Sequence, residues 1–518
     1  MTKYIPVLLL LIPDIVTAQA PEDALRYSFY PQGGTARNMA IGGAMGSLGG
    51  DINATFVNPA GLGFYKTGEF VLTPGFFFNN NKATFRGDQA QNKKNSFGFG
   101  ASGLILGSTH AYDKSRSSAI SIALTQTASF NNRVQYSGLN NYSSFSEQFA
   151  EEFAKSGRTI DEVLNVNSRF PYTSAPALYT YLIDTVRVNG LVQVKGAPEY
   201  ILDAGQALKQ EKTHTTRGGI SEFALGYAQN RSDKWYWGLS LGVPLVVYNS
   251  NLVFKESDTS SNSANHFKSF EYKDDFNTVG IGFNLKLGII YRPQERIRLG
   301  LAIHTPTYMM LTETHTSELS TEVENPVNSY FVSSETFTNN QPGESKYAQL
   351  TPLKAMISAS YVFREVENTK KQRAFITADI EYIHHKGSRF YNNAEGLSDE
   401  DKDYYKAYYK AMNQVVKREY KGAFNFRVGG ELKFNVMMAR LGFAYYGNPY
   451  KDAGYKANRM LLSGGLGYRN KGFFIDLTYV HAISKDVDFP YRLEDRANTY
   501  ATLKQQRGNM VATLGFKF

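Results

Sequence analysis

The chain contains no cysteine. That removes disulfides, thiolate metal sites, cysteine nucleophiles and an amino-terminal lipid anchor together. Beyond its first residues it also lacks any apolar run approaching the ~18 residues a membrane helix requires, and its mean hydropathy is −0.36. A helical membrane bundle is therefore excluded. No HExxH run, Gly-x-Ser-x-Gly elbow or GKS/GKT loop occurs, so zincin, hydrolase and P-loop chemistry have no carrier. The eight histidines are scattered, and the adjacent His384 and His385 would point to opposite faces of a strand. No cofactor, metal or catalytic role is indicated.

What is present begins with a leader. Lys3, the short apolar run Ile5 to Leu11 and Ala18-Gln19-Ala20 follow the order of a signal peptide over residues 1–20, with cleavage after Ala18 or Ala20. The net charge of +9 on an exported chain points away from nucleic acid. It suits either anionic lipid headgroups or an ordinary solvated surface. Tyrosine and phenylalanine number 35 each, with 45 glycines and only two tryptophans. That composition fits a barrel with aromatic girdles and a polar interior.

The strongest signal is alternation with a period of two. Val279, Ile281, Phe283, Leu285, Leu287, Ile289 and Tyr291 form one face, and Gly280, Gly282, Asn284, Lys286, Gly288 and Ile290 the other. The same pattern runs from Phe424, from Ala374, from Phe473 and through the last residues to Phe518. The runs reach about ten residues, the length that crosses a bilayer at a tilt. Fourteen segments start near residues 69, 96, 118, 220, 235, 270, 296, 347, 373, 423, 438, 459, 473 and 509. Short connections (230–234, 292–295, 469–472) and long ones (133–218, 310–346, 386–421, 485–507) are expected to alternate strictly, long after odd strands. A sandwich has no reason to keep its long loops at one end. The fold expected is an all-β transmembrane antiparallel barrel of about 14 strands, with an amino-terminal plug and long extracellular loops carrying short helices.

Two loops carry helical patterns. Ser144 with Glu147 predicts a capping box ahead of Phe145, Phe149 and Phe153. Ser398 with Asp401 opens a run with Tyr404, Tyr405, Tyr408, Tyr409, Met412 and Val416 on one face. These faces pack on neighbouring loops or form an apolar groove at the outer mouth. Inward polar residues are Lys286, Asp379, Glu381, Arg427, Glu431, Lys433 and Asp476. They pair with each other or with the plug, or Arg427 and Lys433 meet the head of a ligand.

Residues 21–66 do not alternate, and 67–518 is the barrel. The glycine-rich stretch from Gly33 to Phe64 turns compactly at Asn58-Pro59-Ala60-Gly61. No apolar strand precedes its glycines, so it is no dinucleotide fingerprint. A compact segment ahead of a barrel belongs in the lumen. Phe56, Leu62 and Phe64 line an internal pocket there, or anchor the segment to the wall.

Ala36-Arg37, Met39, Gly42-Gly43-Ala44, Asp51, Ala54 and Asn58-Pro59-Ala60-Gly61-Leu62 resemble the hatch of the FadL/TodX outer-membrane transport family. The resemblance implies a monomeric fourteen-stranded barrel in the cell outer membrane, in contact with its lipid. It implies passive transport of hydrophobic small molecules, long-chain fatty acids or similar, past the hatch motif Asn58, Pro59, Ala60 and Gly61. A sideways exit at a kink in the third strand is also implied, with Asn131-Asn132 marking the irregularity. A terminal Phe518 fits recognition by the barrel-assembly machinery. Other barrels of this plan are shuttles of type IX secretion that bind protein cargo, or haem receptors, although no histidine pair here is placed as a ligand.

Overall fold

The computed structural model describes residues 23–260, 262, 265–324, 327–363, 373–452 and 457–518. The leader expected over 1–20 lies outside them. Fourteen antiparallel strands close into a barrel. They are β1 (Glu69–Leu72 and Pro74–Phe85), β2 (Asp88–Phe99 and Ser102–Thr109), β3 (Ser117–Ser129 and Asn132–Asn140), β4 (Leu208–Arg231), β5 (Trp235–Asp258), β6 (Ser269–Gln294) and β7 (Ile297–His304 and Tyr308–Glu324). The rest are β8 (Gly343–Leu350 and Lys354–Phe363), β9 (Ala374–His384 and Arg389–Asn392), β10 (Gly422–Phe434), β11 (Met437–Tyr446), β12 (Arg459–Asn470), β13 (Phe473–Asp488) and β14 (Ala501–Lys517). The first strand pairs with the last, Glu69 opposite Lys517, and Gly68 and Phe518 exchange backbone hydrogen bonds of 2.9 and 3.0 Å.

The alternation places apolar side chains on the outside. Val279, Ile281, Phe283, Leu287 and Ile289 are exposed along β6, as are Phe424, Phe426, Val428 and Leu432 along β10. Asp379, Glu381, Arg427, Glu431 and Asp476 are buried on the inside. Such a wall cannot face water over its whole circumference, and a closed sheet satisfies its own backbone in lipid. The chain is thus a transmembrane barrel. Near the end that carries the C-terminus, Trp235 stacks on Tyr291 at 4.3 Å. Exposed Phe70, Phe363, Phe434, Phe473 and Phe516 lie near the same end, completing an aromatic girdle.

Two expectations need correction. Strands are longer than the bilayer requires, 24 residues for β4 and β5 and 26 for β6. Much of what reads as long loop is strand that continues outward. Connection length also does not alternate strictly. The first outer connection is a tight turn at Arg86 and Gly87, with φ of 51° and 99°. Paired positive φ values match the twist of the flanking strands, so β1 and β2 pair to their tips.

Inside the barrel lie three short helices, α1 (Asp23–Arg26), α2 (Ala36–Ala40) and α3 (Ala54–Val57), and a 3-10 turn over Pro59–Phe64. Outside, the loop after β3 carries α4 (Ser146–Ser156), α5 (Ile160–Val163), α6 (Ser174–Tyr179) and α7 (Glu199–Asp203), and the loop after β9 carries α8 (Asp399–Glu419). Phe145, Phe149 and Phe153 pack with Phe254, Phe270, Leu319 and Tyr491 into a core above the membrane. The expected box at Ser144 forms by half. Glu147 accepts from the Ser144 N–H at 2.7 Å, but the Ser144 hydroxyl turns to Glu256 and α4 begins at Ser146. The Ser398 cap on α8 forms as expected, accepting from the Asp401 N–H at 3.1 Å. The buried face of α8, with Tyr409, Met412 and Val416, packs on Tyr27 of the plug and on Ile220, Val246 and Leu311 of the wall. The mouth is therefore covered from above.

Candidate functional site

The plug is seated by glycines of the wall. A Cβ at Gly288 of β6 would stand 1.8 Å from Asn58 Oδ1, one at Gly238 of β5 2.5 Å from the Pro59 backbone, and one at Gly300 of β7 2.4 Å from Gly46 O. Gly429 of β10 and Gly442 of β11 make the same room for Ile41 and Gly42. The small inward face read from Gly280 to Gly288 therefore includes a notch for Asn58-Pro59.

Polar bonds then fix the plug in register. Asn58 Nδ2 donates to Gly46 O at 2.6 Å and, at 3.4 Å each, to Ile289 O and Leu301 O; Asn58 Oδ1 accepts from Ala60 N. Asp51 accepts from Thr35 Oγ1 and Asn53 N. Arg37 reaches Gly50 O and Glu431. From the wall, Thr513 accepts from Ala36 N, Asp379 from Gly46 N, and Arg298 donates to Leu48 O.

The inward charges are largely paired. Lys286 pairs with Glu222, Arg427 with Glu381 at 2.5 Å, and Arg440 with both Glu431 and Asp476 at 2.6 Å. Arg440, fully buried, is the residue that sequence reading missed. It stands on β11 among apolar neighbours, and its role shows only once Glu431 on adjacent β10 and Asp476 on β13, two strands away, are known to come within its reach.

Two cavities adjoin the plug. One, of about 100 Å³, is polar and includes Phe56, Glu222, Lys286, His304, Lys354, Glu381 and Arg427 in its lining. His304 donates to Val57 O at 2.8 Å. Phe56 and Arg427 meet there. Lys433 lies six residues further along β10 and lines neither cavity. Leu62 packs in a cluster with Ala224 and Ala228 of the wall, and Phe64 stacks on Tyr236 at 4.1 Å under the Arg298 guanidinium.

The second cavity, of about 400 Å³, is mixed: rings run from Phe29 and Tyr30 of the plug to Phe77, Phe99 and Phe130 of the wall, and polar groups including Arg459, Asp486 and Arg507 line the rest. It ends where the sheet is incomplete. The outer half of β2 (Asp88–Phe99) has its ladder with β1, and Asn132–Asn140 of β3 with β4. Among the described residues no ladder joins these two segments. β3 carries a bulge at Gln126 and Ala128 and breaks before Asn132, at the Asn131-Asn132 pair. Side chains bridge the gap instead: Asn92 of β2 donates to Gln135 O of β3 at 3.2 Å, and two asparagines of β1 reach past β2 to the same strand. Asn79 and Asn81 donate to Asn132 Oδ1 at 2.6 Å each, and also to the carbonyls of Asn131 and Arg133. Gln126 lies across from Gly98, where a Cβ would stand 2.1 Å from its Oε1.

No family model and no curated protein sequence matches the chain. Solved structures do. A Pseudomonas aeruginosa FadL homologue is 12% identical with a TM-score of 0.50, covering 95% of this chain and 99% of its own. The Ralstonia pickettii toluene transporter TbuX is 15% identical at 0.51, covering 95% and 100%. The Pseudomonas putida toluene transporter TodX is 12% identical at 0.51, covering 94% and 98%. At these identities the likeness concerns architecture, and the chain has the fold of the FadL- and TodX-type plugged outer-membrane barrels.

Proposed function

We propose that the protein is a passive outer-membrane channel for hydrophobic small molecules, long-chain fatty acids or compounds of similar character. The observation that carries this reading is the band of rings, Phe29, Tyr30, Phe77, Phe99 and Phe130, in the cavity between the plug and the unpaired edges of β2 and β3. A polar solute gains nothing from Phe29, Phe77, Phe99 and Phe130, whereas an alkyl or aryl group gains about 0.8 kcal/mol per buried CH₂. An exit through the wall delivers such a molecule without crossing the polar, charge-paired end of the lumen. In this reading residues 21–66 act as the hatch, Asn58-Pro59-Ala60-Gly61 keep it closed, and Phe56 lies on the route past the polar chamber. The solved structures of like fold, titled as toluene transporters and a FadL homologue, are consistent with it. The test is uptake of radiolabelled oleate and toluene into cells whose barrel carries Gly98→Leu, which fills the gap against Gln126. Uptake falls and the barrel remains heat-modifiable on gels. Unchanged uptake of both compounds overturns the lateral route. Absence of any hydrophobic compound in mass spectra of mildly extracted protein overturns the substrate class.

A further inference from the structure

At the outer rim a groove of about 620 Å³ runs between α8 and the end of β9. Five cationic side chains, Arg389, Lys402, Lys406, Lys410 and Lys417, line it, and no carboxylate does. Lys402, Lys406 and Lys410 repeat every four residues on the helix, an arrangement of like charges that works against helix stability. Lys402 alone of these is offset, by Asp399 at 2.9 Å. Among the described residues, Lys406, Lys410 and Lys417 have no carboxylate at ion-pair distance. Arg389 Nη1 is buried in the rim without a hydrogen-bond partner, so its guanidinium is incompletely satisfied by the protein. At the far end Lys451 Nζ donates to Lys417 O at 3.0 Å, adding a further ammonium.

The two walls of the groove are tied together. Asn413 clamps the strand to the helix, donating to Phe390 O at 2.9 Å and accepting from Phe390 N at 2.8 Å. Tyr391, 45% exposed, and Tyr405 line the groove among the cations. Cations set about tyrosine rings select a ligand with several anionic oxygens and flat C–H faces. Lone phosphate uses only the first feature, and an uncharged sugar only the second.

We propose that this groove binds a phosphorylated saccharide, drawn either from the headgroups of surrounding glycolipid or from free acidic polysaccharide. Its place outside the membrane follows from the barrel's orientation and not from the transported compound, so uptake is unaffected by its loss. The experiment is calorimetric titration of the detergent-solubilised full chain with a bis-phosphorylated glucosamine disaccharide, the same sugar without phosphates, and inorganic phosphate. The phosphorylated sugar binds, more weakly as salt rises, and Lys406→Glu with Lys410→Glu lowers affinity by at least about tenfold. Heat-modifiability of that variant reports its folding, and Arg389→Gln provides a second, milder variant with a smaller loss. Equal affinity in wild type and both folded variants, or equal affinity for the dephosphorylated sugar, overturns the proposal. So does phosphate binding as tightly as the disaccharide. Native mass spectrometry of protein drawn from its own membrane separates the sources. Retained phosphoglycolipid, lost in the double variant, assigns the ligand to the bilayer, and sugar binding with none retained assigns it to soluble polysaccharide.

Discussion

Gly288→Ala tests whether the plug is held by fit to the wall. The new Cβ would stand 1.8 Å from Asn58 Oδ1, 2.9 Å from its Cγ and 3.1 Å from Pro59 Cδ, where ordinary contact begins near 3.4 Å. Asn58-Pro59 has to withdraw by well over an ångström. Overpacking of this kind costs about 1–3 kcal/mol, and each hydrogen bond that Asn58 then loses about 1 kcal/mol more. The sum, about 3–5 kcal/mol, raises the undocked fraction of this part of the plug by about a hundredfold or more. The barrel keeps its register, because Gly288 pairs through backbone with Gly238 and Ala302 and alanine is tolerated in a strand. The assay is swelling of proteoliposomes in a small sugar, with protease digestion of the amino-terminal segment. Both accelerate, and further replacing Asn58 by Gly relieves the overlap and partly restores protection. Wild-type swelling and protection in a folded Gly288→Ala barrel would refute the notch as the plug's seat.

Three further outcomes follow from the same geometry. Asn79→Ala with Asn81→Ala removes the bridge to Asn132; hydrogen exchange in 88–99 and 132–140 rises while β5 and β6 are unchanged, and equal exchange would show that the bridge holds nothing. Arg440→Met leaves buried Glu431 and Asp476 with only the more distant Arg37 and Arg469, at 3.7 and 3.9 Å, and lowers stability by up to about 3–5 kcal/mol in urea unfolding from detergent. Adding Glu431→Gln and Asp476→Asn restores most of it, and failure of that rescue would assign Arg440 a packing role alone. The Glu147 carboxyl is pushed up to about 7 from 4.5, by burial first and by nearby Glu199, against the opposing Ser144 N–H and Arg496. A carboxyl whose pKa is raised in the folded cap binds protons there that the unfolded loop releases. Its contribution is full below about pH 4.5 and lost as pH rises to about 7, so protease cleavage within 141–207 is slower at pH 5 than at pH 8. Glu147→Gln weakens that dependence, leaving the share of Glu199, whose carboxyl burial also pushes up, and equal cleavage rates in the parent protein at both pH values would contradict the sign.

The barrel was legible because its outer solvent is apolar. Every second residue of β6, β10 and β13 had to be greasy wherever lipid touches it, and this leaves a local pattern. Above the membrane that constraint ends. Residues 209–217 of β4 read Lys-Gln-Glu-Lys-Thr-His-Thr-Thr-Arg, with no apolar face to mark them as strand, and their extension was therefore read as loop. The plug's compactness was legible from its glycines, but the wall glycines that receive it were not. Gly429 and Gly442 acquire meaning only when β10 and β11 are set beside Ile41 and Gly42. Of the candidate ligand contacts, Phe56 and Arg427 share the polar chamber, but Arg427 is already bound to Glu381. Leu62 and Phe64 sit against the wall, and Lys433 stands apart. A side chain's type does not say which of several partners reaches it first. The break in the wall is a failure of pairing between segments distant in sequence, and only Asn131-Asn132 gave a local sign of it.

The bonds that hold the plug are unevenly spread, and this decides which part can give way. From Ala36 to Phe64 the chain is tied to the wall by Thr513, Asp379, Arg298, His304 and the carbonyls of Ile289 and Leu301, and wall glycines exclude any sideways shift. From Asp23 to Gly34 the wall bonds are fewer and longer: Gln32 N to Tyr446 at 2.9 Å, Arg459 to Phe29 O at 3.3 Å and Gln349 to Asp23 O at 3.3 Å. The rest of that stretch is held by ring contacts such as Tyr27 on Phe130 and Arg26 over Tyr248. Ring contacts have no fixed register and are replaced by any apolar ligand of the right size, whereas a buried hydrogen bond broken without replacement leaves its full desolvation cost. In the proposed transport, a hydrophobic molecule entering this cavity would therefore displace the rings of Tyr27, Phe29 and Tyr30 at less cost than the Asn58 seat. The proposed lateral route then asks for movement of the first dozen described residues and of the asparagine bridge, and for no withdrawal of the plug as a whole.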